Sequence, residues 1–470
     1  MQSITTDILK TIKATYFIGI GGIGMSALAR YFNKTGVLTE GYDKTPSKLI
    51  EELIKEGINI HFEDNIDKVN TEIKEFNKEE VLVIYTPAIP ASHKELNWFK
   101  NNQYKIYKRS EILGLITKQY KTVAVAGTHG KTSVSTIIAH IFKHANMKFN
   151  AFLGGISNNY NSNLIIDAKP DEAEFAVTEA DEFDRSFLSL NPWCGVITSV
   201  DEDHLDIYKD LKDLKETFAK FTKQIHKCGY LLIKKGVDIE KTDFPVNTYT
   251  YSLNEEADYF AQNIKTDANK SSFNVVTPNK TINNVVIHIP GNLNVENVVA
   301  ATAVANIHNI PEDEIKAALK SWTGVKRRFE YIVNTPEIIY IDDYAHHPEE
   351  LKSFIASVKD IYKEKHITGI FQPHLFTRTR DFADEFAQSL DILDKVILLD
   401  IYPAREEPIE GVTSELIYNK IKLKDKLQVN KKELLNNINI NETEVLLTIG
   451  AGDIDRLVEP IKNICKLKSS

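Results

Sequence analysis

Residues 123–132 read VAVAGTHGKT, a short apolar run followed by a glycine turn and then by Lys131 and Thr132 at the start of a helical pattern. In such a turn the backbone N–H groups cradle phosphates, the lysine neutralises the β- and γ-phosphate oxygens, and the threonine hydroxyl reaches Mg²⁺. A lysine at a helix N-terminus opposes the helix dipole unless an anion is bound there. The stretch therefore predicts a strand, a phosphate loop and a helix, with ATP and Mg²⁺ bound by Gly127, Thr128, His129, Gly130, Lys131, Thr132 and Ser133.

Short β-branched runs alternate with helical patterns along the rest of the chain. Continuous apolar strands of this kind are buried on both faces, as in parallel sheets flanked by helices, so the predicted fold class is α/β. The runs that predict strands are 16–20, 81–85, 123–126, 175–178, 196–200, 338–341, 367–371, 396–399 and 445–449. The pattern restarts before Gly127 and near Gly324, which predicts domains of residues 1–114, 115–324 and 325–470.

Composition excludes several classes of function. The chain has 470 residues, too many for one compact core. Its formal net charge of −9 argues against a general affinity for nucleic acid or anionic lipid. Three cysteines, far apart in the sequence, provide neither a disulfide framework nor metal-ligand spacing. With no stretch of ~18 apolar residues and no signal-peptide pattern, we expect a soluble cytoplasmic protein.

A second glycine loop lies near the N-terminus, where Gly19, Gly21 and Gly24 form the pattern G-x-G-x-x-G between a strand and a helix. Glycines in this arrangement permit a tight turn and let a phosphate approach the N–H groups at the helix start. Asp43 follows at the end of a second strand-like run, where an acidic side chain commonly holds a ribose hydroxyl. The loop predicts a nucleotide or diphosphate site, and it does not by itself distinguish NAD from other nucleotides.

Acidic loops follow two predicted strands of the middle domain, at residues 179–184 and 201–206. Acids at the carboxyl ends of strands beside a phosphate loop are placed to hold Mg²⁺, which prefers oxygen ligands. We single out Glu179 and His204 as metal ligands and interpret most of the other carboxylates as solvated turns.

Three strands of the last domain end in polar loops, DDYAHHP (342–348), QPHLFTRTR (372–380) and DIYPARE (400–406). Residues 326–330, KRRFE, supply cations where the second domain meets the third. Polar loops at the carboxyl edge of one sheet define one crevice, so this edge predicts a site for an anionic ligand.

Together these motifs resemble those of the Mur ligases, the ATP-dependent amide-forming enzymes of peptidoglycan synthesis. The resemblance covers nearly the whole chain and rests on the order and spacing of its segments. These segments are GIGGIGMS (19–26), GTHGKT (127–132), EADEFD (179–184), DHLD (203–206), RRF (327–329), DDYAHHP (342–348), FQPH (371–374), TRTR (377–380) and GAG (450–452). The resemblance implies a Rossmann-like N-terminal domain for a UDP-sugar, a P-loop ATPase-like central domain and a Rossmann-like C-terminal domain.

The resemblance also implies a reaction, in which ATP activates the lactyl carboxylate of UDP-N-acetylmuramate as an acyl phosphate that L-alanine then attacks. Neither nucleic acid nor membrane is an implied partner. By similarity, Gly22, Ile23 and Asp43 would contact the UDP-sugar, and Thr132, Glu179 and His204 would bind the metal. Asn294 and Asn297 would lie near adenine, and Arg328 and Asp343 would complete the ATP site. Tyr344, His374 and Arg378 would line the amino-acid pocket. The implied catalytic set is Lys131, Glu179, His204, Arg328, His374 and Arg378.

Two segments depart from the family pattern. The segment GNLN (291–294) stands where Gly-Arg-His-Asn is usual, and Leu375 stands where an arginine is common. A sister ligase that recycles a muramyl tripeptide shares both glycine-containing loops but usually differs at residues 371–374. Outside the family, a nicotinamide-dependent oxidoreductase leaves Lys131 unexplained, and a nucleotide-binding regulator without turnover leaves the strand-end loops unexplained.

Overall fold

The computed structural model describes residues 8–201, 207–239, 247–404 and 406–468. Within these ranges strands and helices alternate around three sheets, of five, ten and six strands, so the predicted α/β fold class is confirmed. Contacts group the chain into two compact units. The first comprises Met1–Asn263, Phe273–Val285 and Glu296–Trp322, and the second comprises Ile264–Ser272, Val286–Val295 and Thr323–Ser470.

The first sheet has the strand order β3-β2-β1-β4-β5 and is parallel throughout. Every residue of its central strand is buried, as expected for an apolar strand within a parallel sheet. Its strands are β1 Ala14–Ile18, β2 Leu38–Tyr42, β3 Asn59–His61, β4 Val81–Tyr85 and β5 Lys105–Lys108. Its helices are α1 Ile8–Thr11, α2 Ile23–Lys34, α3 Lys48–Lys55, α4 Thr71–Glu75, α5 Lys94–Asn101 and α6 Arg109–Thr117.

The second sheet has the order β15-β14-β13-β12-β11-β10-β6-β9-β7-β8. Its phosphate-loop strand lies between two parallel neighbours, β10 and β9. Its strands are β6 Lys121–Ala126, β7 Phe149–Ser157, β8 Ser162–Ile166, β9 Phe175–Ala180, β10 Cys194–Ile197, β11 Tyr230–Lys234, β12 Asn247–Ser252, β13 Tyr259–Thr266, β14 Ser271–Val276 and β15 Thr281–Ile287. The helices of this region are α7 Lys131–His144, α8 Leu211–Lys223, α9 Asn292–Ile307 and α10 Glu312–Ser321.

The third sheet has the order β16-β17-β21-β18-β19-β20, with β16 antiparallel and the other strands parallel. Its strands are β16 Glu330–Asn334, β17 Ile339–Asp343, β18 Ile367–Phe371, β19 Lys395–Leu398, β20 Lys426–Gln428 and β21 Val445–Ile449. Its helices are α11 Pro348–Ile361, α12 Phe376–Asp381, α13 Ala383–Leu390, α14 Glu415–Tyr418, α15 Leu434–Asn437 and α16 Val458–Lys468. Among the described residues, no helix combines the length and apolarity that crossing a bilayer requires.

Five of the nine predicted strands end at a different residue in the structure, and two of these differences bear on the loops after the strands. The strand predicted at 196–200 ends at Ile197, because its partner in β6 is Ala126, the last residue of that strand before the phosphate loop. The Thr198 hydroxyl then donates to the backbone carbonyls of Ala126 and His129. The strand predicted at 338–341 continues through Asp343, which pairs in register with Ile449 of β21. Asp342 and Asp343 therefore belong to the strand and not to the loop after it.

The first two sheets share one hydrophobic core within the first unit. A single cluster of buried residues includes Phe17 and Phe32 from the first sheet region and Phe152 and Phe218 from the second. Burying such side chains is the main stabilising contribution to folding, so the glycine loop and the phosphate loop are carried by one cooperative body.

A polar contact set within this core connects α2 to β8. The Asn163 side-chain amide is fully buried and donates to the Ile23 carbonyl at 2.6 Å and to Ser26 Oγ at 2.9 Å. Its oxygen accepts from Arg30 Nη1 at 2.5 Å. Arg30 is only 2% exposed and also pairs with Glu56 at 2.7 Å, so its charge is neutralised inside the protein.

Replacing Asn163 with alanine is expected to lower the free energy of unfolding by about 2 kcal/mol, because it removes three hydrogen bonds and leaves part of a buried guanidinium without a partner. Urea denaturation of Asn163→Ala measures the change. Lys462→Ala is the control, because Lys462 pairs with Glu459 on the exposed face of α16 and such pairs contribute little. Equal losses in the two variants would contradict this interpretation of the buried contacts.

Candidate active site

The phosphate loop has the predicted strand-turn-helix form. β6 ends at Ala126, and α7 begins at Lys131. Gly127 has a φ of +140°, and a Cβ there would lie 2.1 Å from Thr198 Oγ1, so only glycine fits. Gly130 has a φ of +81° and caps α7, which leaves the first N–H groups of this helix directed toward the loop.

Lys131 lies in an acidic setting. Its Nζ donates to the Gly127 carbonyl at 2.5 Å and to Glu182 Oε1 at 2.9 Å. Burial by itself lowers the pKa of Lys131, but the carboxylates of Glu182, Glu179 and Asp181 outweigh it and raise that pKa above its ordinary value. The lysine is therefore a permanent cation at neutral pH, directed at the loop.

Glu182 is an exception among the loop carboxylates, most of which are interpreted from the sequence as solvated. Its side chain is only 1% exposed, and its carboxylate forms an ion pair with Lys131. The distance from Lys131 Nζ to Glu182 Oε2 is 2.8 Å. The sequence contained a signal for this burial, since Glu182 follows a buried strand by only two residues. A buried carboxylate of this kind needs a cationic partner, and the lysine of the phosphate loop supplies the charge.

Thr132 and Glu179 form a pair of oxygen donors beside the lysine. The Thr132 hydroxyl donates to Glu179 Oε2 at 2.8 Å. Glu179 occupies space that exists because residue 154 is glycine, since a Cβ at Gly154 would lie 1.9 Å from Glu179 Oε2. A hydroxyl and a carboxylate are hard oxygen ligands, the donor set that suits Mg²⁺ together with substrate phosphates. His204, the other predicted metal ligand, lies outside the described residues, as does the rest of the DHLD segment (203–206).

The remaining loop residues are held from the side of β10. The Thr128 and Ser199 hydroxyls lie 2.8 Å apart, and the His129 N–H donates to Ser199 Oγ at 2.8 Å. Ser133 is half-buried on the first turn of α7. Asn297, predicted near adenine, lies beside this loop: a Cβ built at Gly130 would be 3.1 Å from Asn297 Oδ1. Ser199 has no counterpart in the sequence prediction.

The N-terminal glycine loop also has the predicted form. Two of its glycines are required because a larger residue would clash with neighbouring side chains of the protein. Gly22 caps α2, and Ile23, the first residue of the helix, is 37% exposed. Asp43 directly follows β2, and its Oδ2 accepts from the Gly21 N–H at 2.8 Å. A Cβ at Gly21 would meet Ile50 at 2.7 Å, and one at Gly24 would meet Arg109 at 2.7 Å. Arg109, which the sequence analysis did not single out, therefore lies against this loop.

A buried carboxylate lies on α5, beside the first sheet. Glu95 is fully buried, and burial raises its pKa to about 7, although hydrogen bonds from the Tyr16 hydroxyl and the Asn65 N–H favour the ionised form. His61 Nε2 lies 3.6 Å from Glu95 Oε1, and Asp64 accepts from the Glu95 N–H at 3.0 Å. The pKa of the Glu95 carboxyl therefore lies near neutral pH instead of in the usual acidic range.

Glu95→Gln is expected to flatten the pH dependence of stability. Because folding raises the pKa of Glu95, the protonated carboxyl favours the folded state. This contribution is complete below the unfolded pKa of ~4.3 and is lost as the pH rises through 7, a loss of about 4 kcal/mol in total. Unfolding free energies at pH 5 and pH 8 should therefore differ less in the variant than in the wild type. An unchanged difference would show that this carboxyl does not titrate as inferred.

The second unit positions Arg328, Asp343 and Tyr344 around one turn. Asp343 accepts from the N–H groups of Phe329 at 2.7 Å and Ala345 at 2.8 Å, and burial raises its pKa to about 6. The guanidinium of Arg328 lies 5.1 Å from the centre of the Tyr344 ring, and Arg327 lies 5.0 Å from it. The two arginines of the KRRFE segment thus lie over one aromatic ring, and Asp343 holds the backbone of the same turn.

His374, Arg378 and Asn294 also lie in the second unit. The His374 ring stacks on Tyr402, with centroids 5.8 Å apart, and lies 5.7 Å from the ring of His346. Leu375 adopts a φ of +71°, rare for leucine, immediately before α12, which carries the buried Arg378. Asn294 lies on the first turn of α9 and donates to the Pro290 carbonyl at 3.1 Å.

A phosphate loop with a buried lysine and a paired hydroxyl and carboxylate, following a Rossmann-like parallel sheet, defines the class of nucleotide-dependent α/β proteins. Three family models match the chain: "Mur ligase family, catalytic domain" at residues 14–121, "Mur ligase middle domain" at 125–305 and "Mur ligase, glutamate ligase domain" at 327–452. Together with the relatives described next, they show that the chain belongs to the Mur ligase family.

Curated relatives match over nearly the full chain. A UDP-N-acetylmuramate–L-alanine ligase of Parabacteroides distasonis is 49% identical over 460 residues, covering 97% of this chain and 98% of the relative. The protein of the same name from Porphyromonas gingivalis is 48% identical over 454 residues, covering 96% and 98%. Among solved structures, UDP-N-acetylmuramate-alanine ligase of Thermotoga maritima matches with a TM-score of 0.80 at 26% identity, covering 97% of this chain and 99% of that one.

A murein peptide ligase of Psychrobacter arcticus matches with a TM-score of 0.67 at 19% identity, covering 97% of this chain and 98% of that one. At this identity the likeness concerns the fold. It shows that the sister ligase considered from the sequence shares the architecture of this chain.

Proposed function

We propose that this protein is an ATP-dependent ligase that joins L-alanine to the lactyl carboxylate of UDP-N-acetylmuramate in peptidoglycan synthesis. The observation that carries the proposal is the phosphate loop, in which the cationic Lys131 lies beside the oxygen pair of Thr132 and Glu179. The relatives at 49% and 48% identity, which carry the name of this activity, support the choice of substrates.

The reaction needs ATP because a carboxylate is a poor electrophile. An oxygen of the lactyl carboxylate attacks the γ-phosphorus, the bond to the β-phosphate oxygen breaks, and an acyl phosphate and ADP result. The α-amine of alanine then attacks the acyl carbon, loses a proton, and inorganic phosphate leaves with its bond to that carbon broken. Lys131 would exchange its contact with Glu182 for the phosphate oxygens and stabilise the charge passing through the phosphoryl group.

Mg²⁺ would be held by Thr132, Glu179 and His204, and its charge would offset that of the phosphates. In the rest of the first unit, Gly127 to Gly130 and Ser133 would bind the phosphates, Asn297 would lie near adenine, and Gly22, Ile23 and Asp43 would contact the UDP-sugar. In the second unit, Arg328 and Asp343 would complete the ATP site, Asn294 would lie near adenine, and Tyr344, His374 and Arg378 would line the alanine pocket.

The domain division that goes with this function is 1–114 for the UDP-sugar, 115–324 for ATP and 325–470 for the C-terminal Rossmann-like domain. Three matched family segments, at residues 14–121, 125–305 and 327–452, follow in the same order and support a three-part division. We place the protein in the cytoplasm, where UDP-linked precursors and ATP are available. The three cysteines, none of which forms a disulfide, are consistent with a reducing compartment.

A phosphate-release assay with ATP, UDP-N-acetylmuramate and L-alanine tests the proposal. Release is expected only when all three substrates are present. Release that needs neither the sugar nucleotide nor the amino acid would contradict ligation. Substituting the free tripeptide L-alanyl-γ-D-glutamyl-meso-diaminopimelate for alanine distinguishes the sister ligase, which would use the α-amine of the peptide and ignore the free amino acid.

A further inference from the structure

Arg109 connects two loops of the first unit. It is the first residue of α6, and its Nη2 donates to Asp181 Oδ2 at 3.2 Å. Its guanidinium also packs on the N-terminal glycine loop, since a Cβ at Gly24 would lie 2.7 Å from Nη1 and 3.1 Å from Cζ. One side chain therefore touches the loop proposed for the UDP-sugar and the acidic loop beside the phosphate loop.

The acidic loop continues this path to the phosphate loop. Asp181 is flanked by Glu182, which binds Lys131 at 2.9 Å, and follows Glu179, which binds Thr132 at 2.8 Å, by two residues. The path from Gly24 to Lys131 thus runs through Arg109 and one short stretch of backbone. Such a continuous set of contacts is a route by which one loop can respond to a ligand on the other.

The ion pair of Arg109 with Asp181 adds little to folding stability. The Arg109 and Asp181 side chains are 19% and 40% exposed, and ion pairs with this much solvent contribute little to stability. The guanidinium also lies at the N-terminal ends of α6 and α2, where the helix dipoles disfavour a cation. Its contacts with Gly24 and Asp181 relate the two loops to each other.

We propose that Arg109 is a positioning residue that couples binding of the UDP-sugar at the glycine loop to binding of nucleotide at the phosphate loop. The proposal rests on the proposed function for the identity of the two ligands. When phosphates draw Lys131 away from Glu182, the carboxylates at 179–184 lose part of their cationic partner. Asp181 then holds Arg109 more strongly, and Arg109 fixes the glycine loop through Gly24. Because coupling is reciprocal, each ligand raises the affinity for the other by the same factor.

The test measures the dissociation constant of UDP-N-acetylmuramate by calorimetry, with and without saturating ADP and Mg²⁺. Alanine is absent, so no turnover occurs. In the wild type, ADP is expected to tighten the binding of the sugar nucleotide by about 5-fold or more. In Arg109→Ala this factor should fall to within about 2-fold of no effect, and Arg109→Lys, which keeps the charge but not the planar fork, should be intermediate.

Lys108→Ala is the matched control. Lys108, the last residue of β5, immediately precedes Arg109 and binds Asp184 of the same acidic loop at 2.8 Å, so its removal also cuts an ion pair to that loop. It should keep the wild-type coupling factor. Thermal unfolding verifies that all variants are folded, and Asp181→Asn should reproduce the loss seen in Arg109→Ala without adding to it in the double variant.

Two outcomes would overturn the proposal. One is a coupling factor in Arg109→Ala equal to that of the wild type. The other is an equal loss of sugar-nucleotide affinity with and without ADP, which would make Arg109 a simple ligand or packing residue. Wild-type turnover in the same preparation separates this result from a failure of the proposed function, because an active ligase with unaltered coupling refutes the role of Arg109 alone.

Discussion

Lys131→Ala is expected to lower kcat for ligation by about 10³-fold or more, because it removes the cation that stabilises the transferring phosphoryl group. The structure strengthens this expectation. The lysine is 13% exposed, and the carboxylates around it raise its pKa, so it stays charged at any working pH. Lys131 is the first residue of α7, directly after the glycine turn. Phosphate release under saturating substrates measures the effect.

Lys143→Ala is the matched control for this variant. Lys143 lies in the last turn of the same helix, is 43% exposed and pairs with Asp167 on the surface. Its removal should leave kcat unchanged. Because Lys131→Ala also leaves Glu182 buried without its lysine, Lys131→Arg is measured alongside it, since that variant keeps the charge. Wild-type ligation by Lys131→Ala would refute the assignment of the phosphate loop.

Glu179→Gln is expected to lower kcat by about 10²-fold and to raise the Mg²⁺ concentration needed for half-maximal activity, because an amide oxygen is a weaker ligand than a carboxylate. Gly154→Ala should lower kcat by a similar factor, because it displaces the Glu179 carboxylate instead of changing it. Its Cβ would occupy a position 1.9 Å from Glu179 Oε2 and so force the carboxylate away from Thr132. Titration of activity with Mg²⁺ measures both variants.

Glu174→Gln serves as the control for these two variants. Glu174 immediately precedes β9, the strand that carries Glu179, but its side chain is exposed. It should keep both the wild-type kcat and the wild-type Mg²⁺ requirement. If Glu179→Gln changes neither quantity, Glu179 is not a metal ligand, and its contact with Thr132 serves only to hold the loop.

Local chemistry made much of the fold readable from the sequence. The phosphate loop needed only a buried strand, glycines at the turn and Lys131 at the start of a helix, all within ten consecutive residues, and the structure has this arrangement. The N-terminal glycine loop and Asp43 after β2 were predicted in the same way. These features depend on interactions between residues close in the chain, which a single sequence displays directly.

The misjudged features depend on distant neighbours. Glu182 looked like one solvated acid among seven, and it is buried because Lys131, 51 residues away in the sequence, supplies its counter-charge. The strand predicted at 196–200 ends early because the neighbouring strand β6 ends at Ala126, the partner of Ile197. Neither outcome follows from local propensity, since each requires knowing which strands are neighbours.

The sequence by itself determined the family, the α/β class and the places where a phosphate can meet the backbone, because strand-turn-helix motifs are local. Only the tertiary structure decided which charges face one another: Lys131 with Glu182, Arg109 between Gly24 and Asp181, and Glu95 buried among other ionisable groups. Pairing and burial set the strength of these charges, and both arise from packing between segments far apart in the chain.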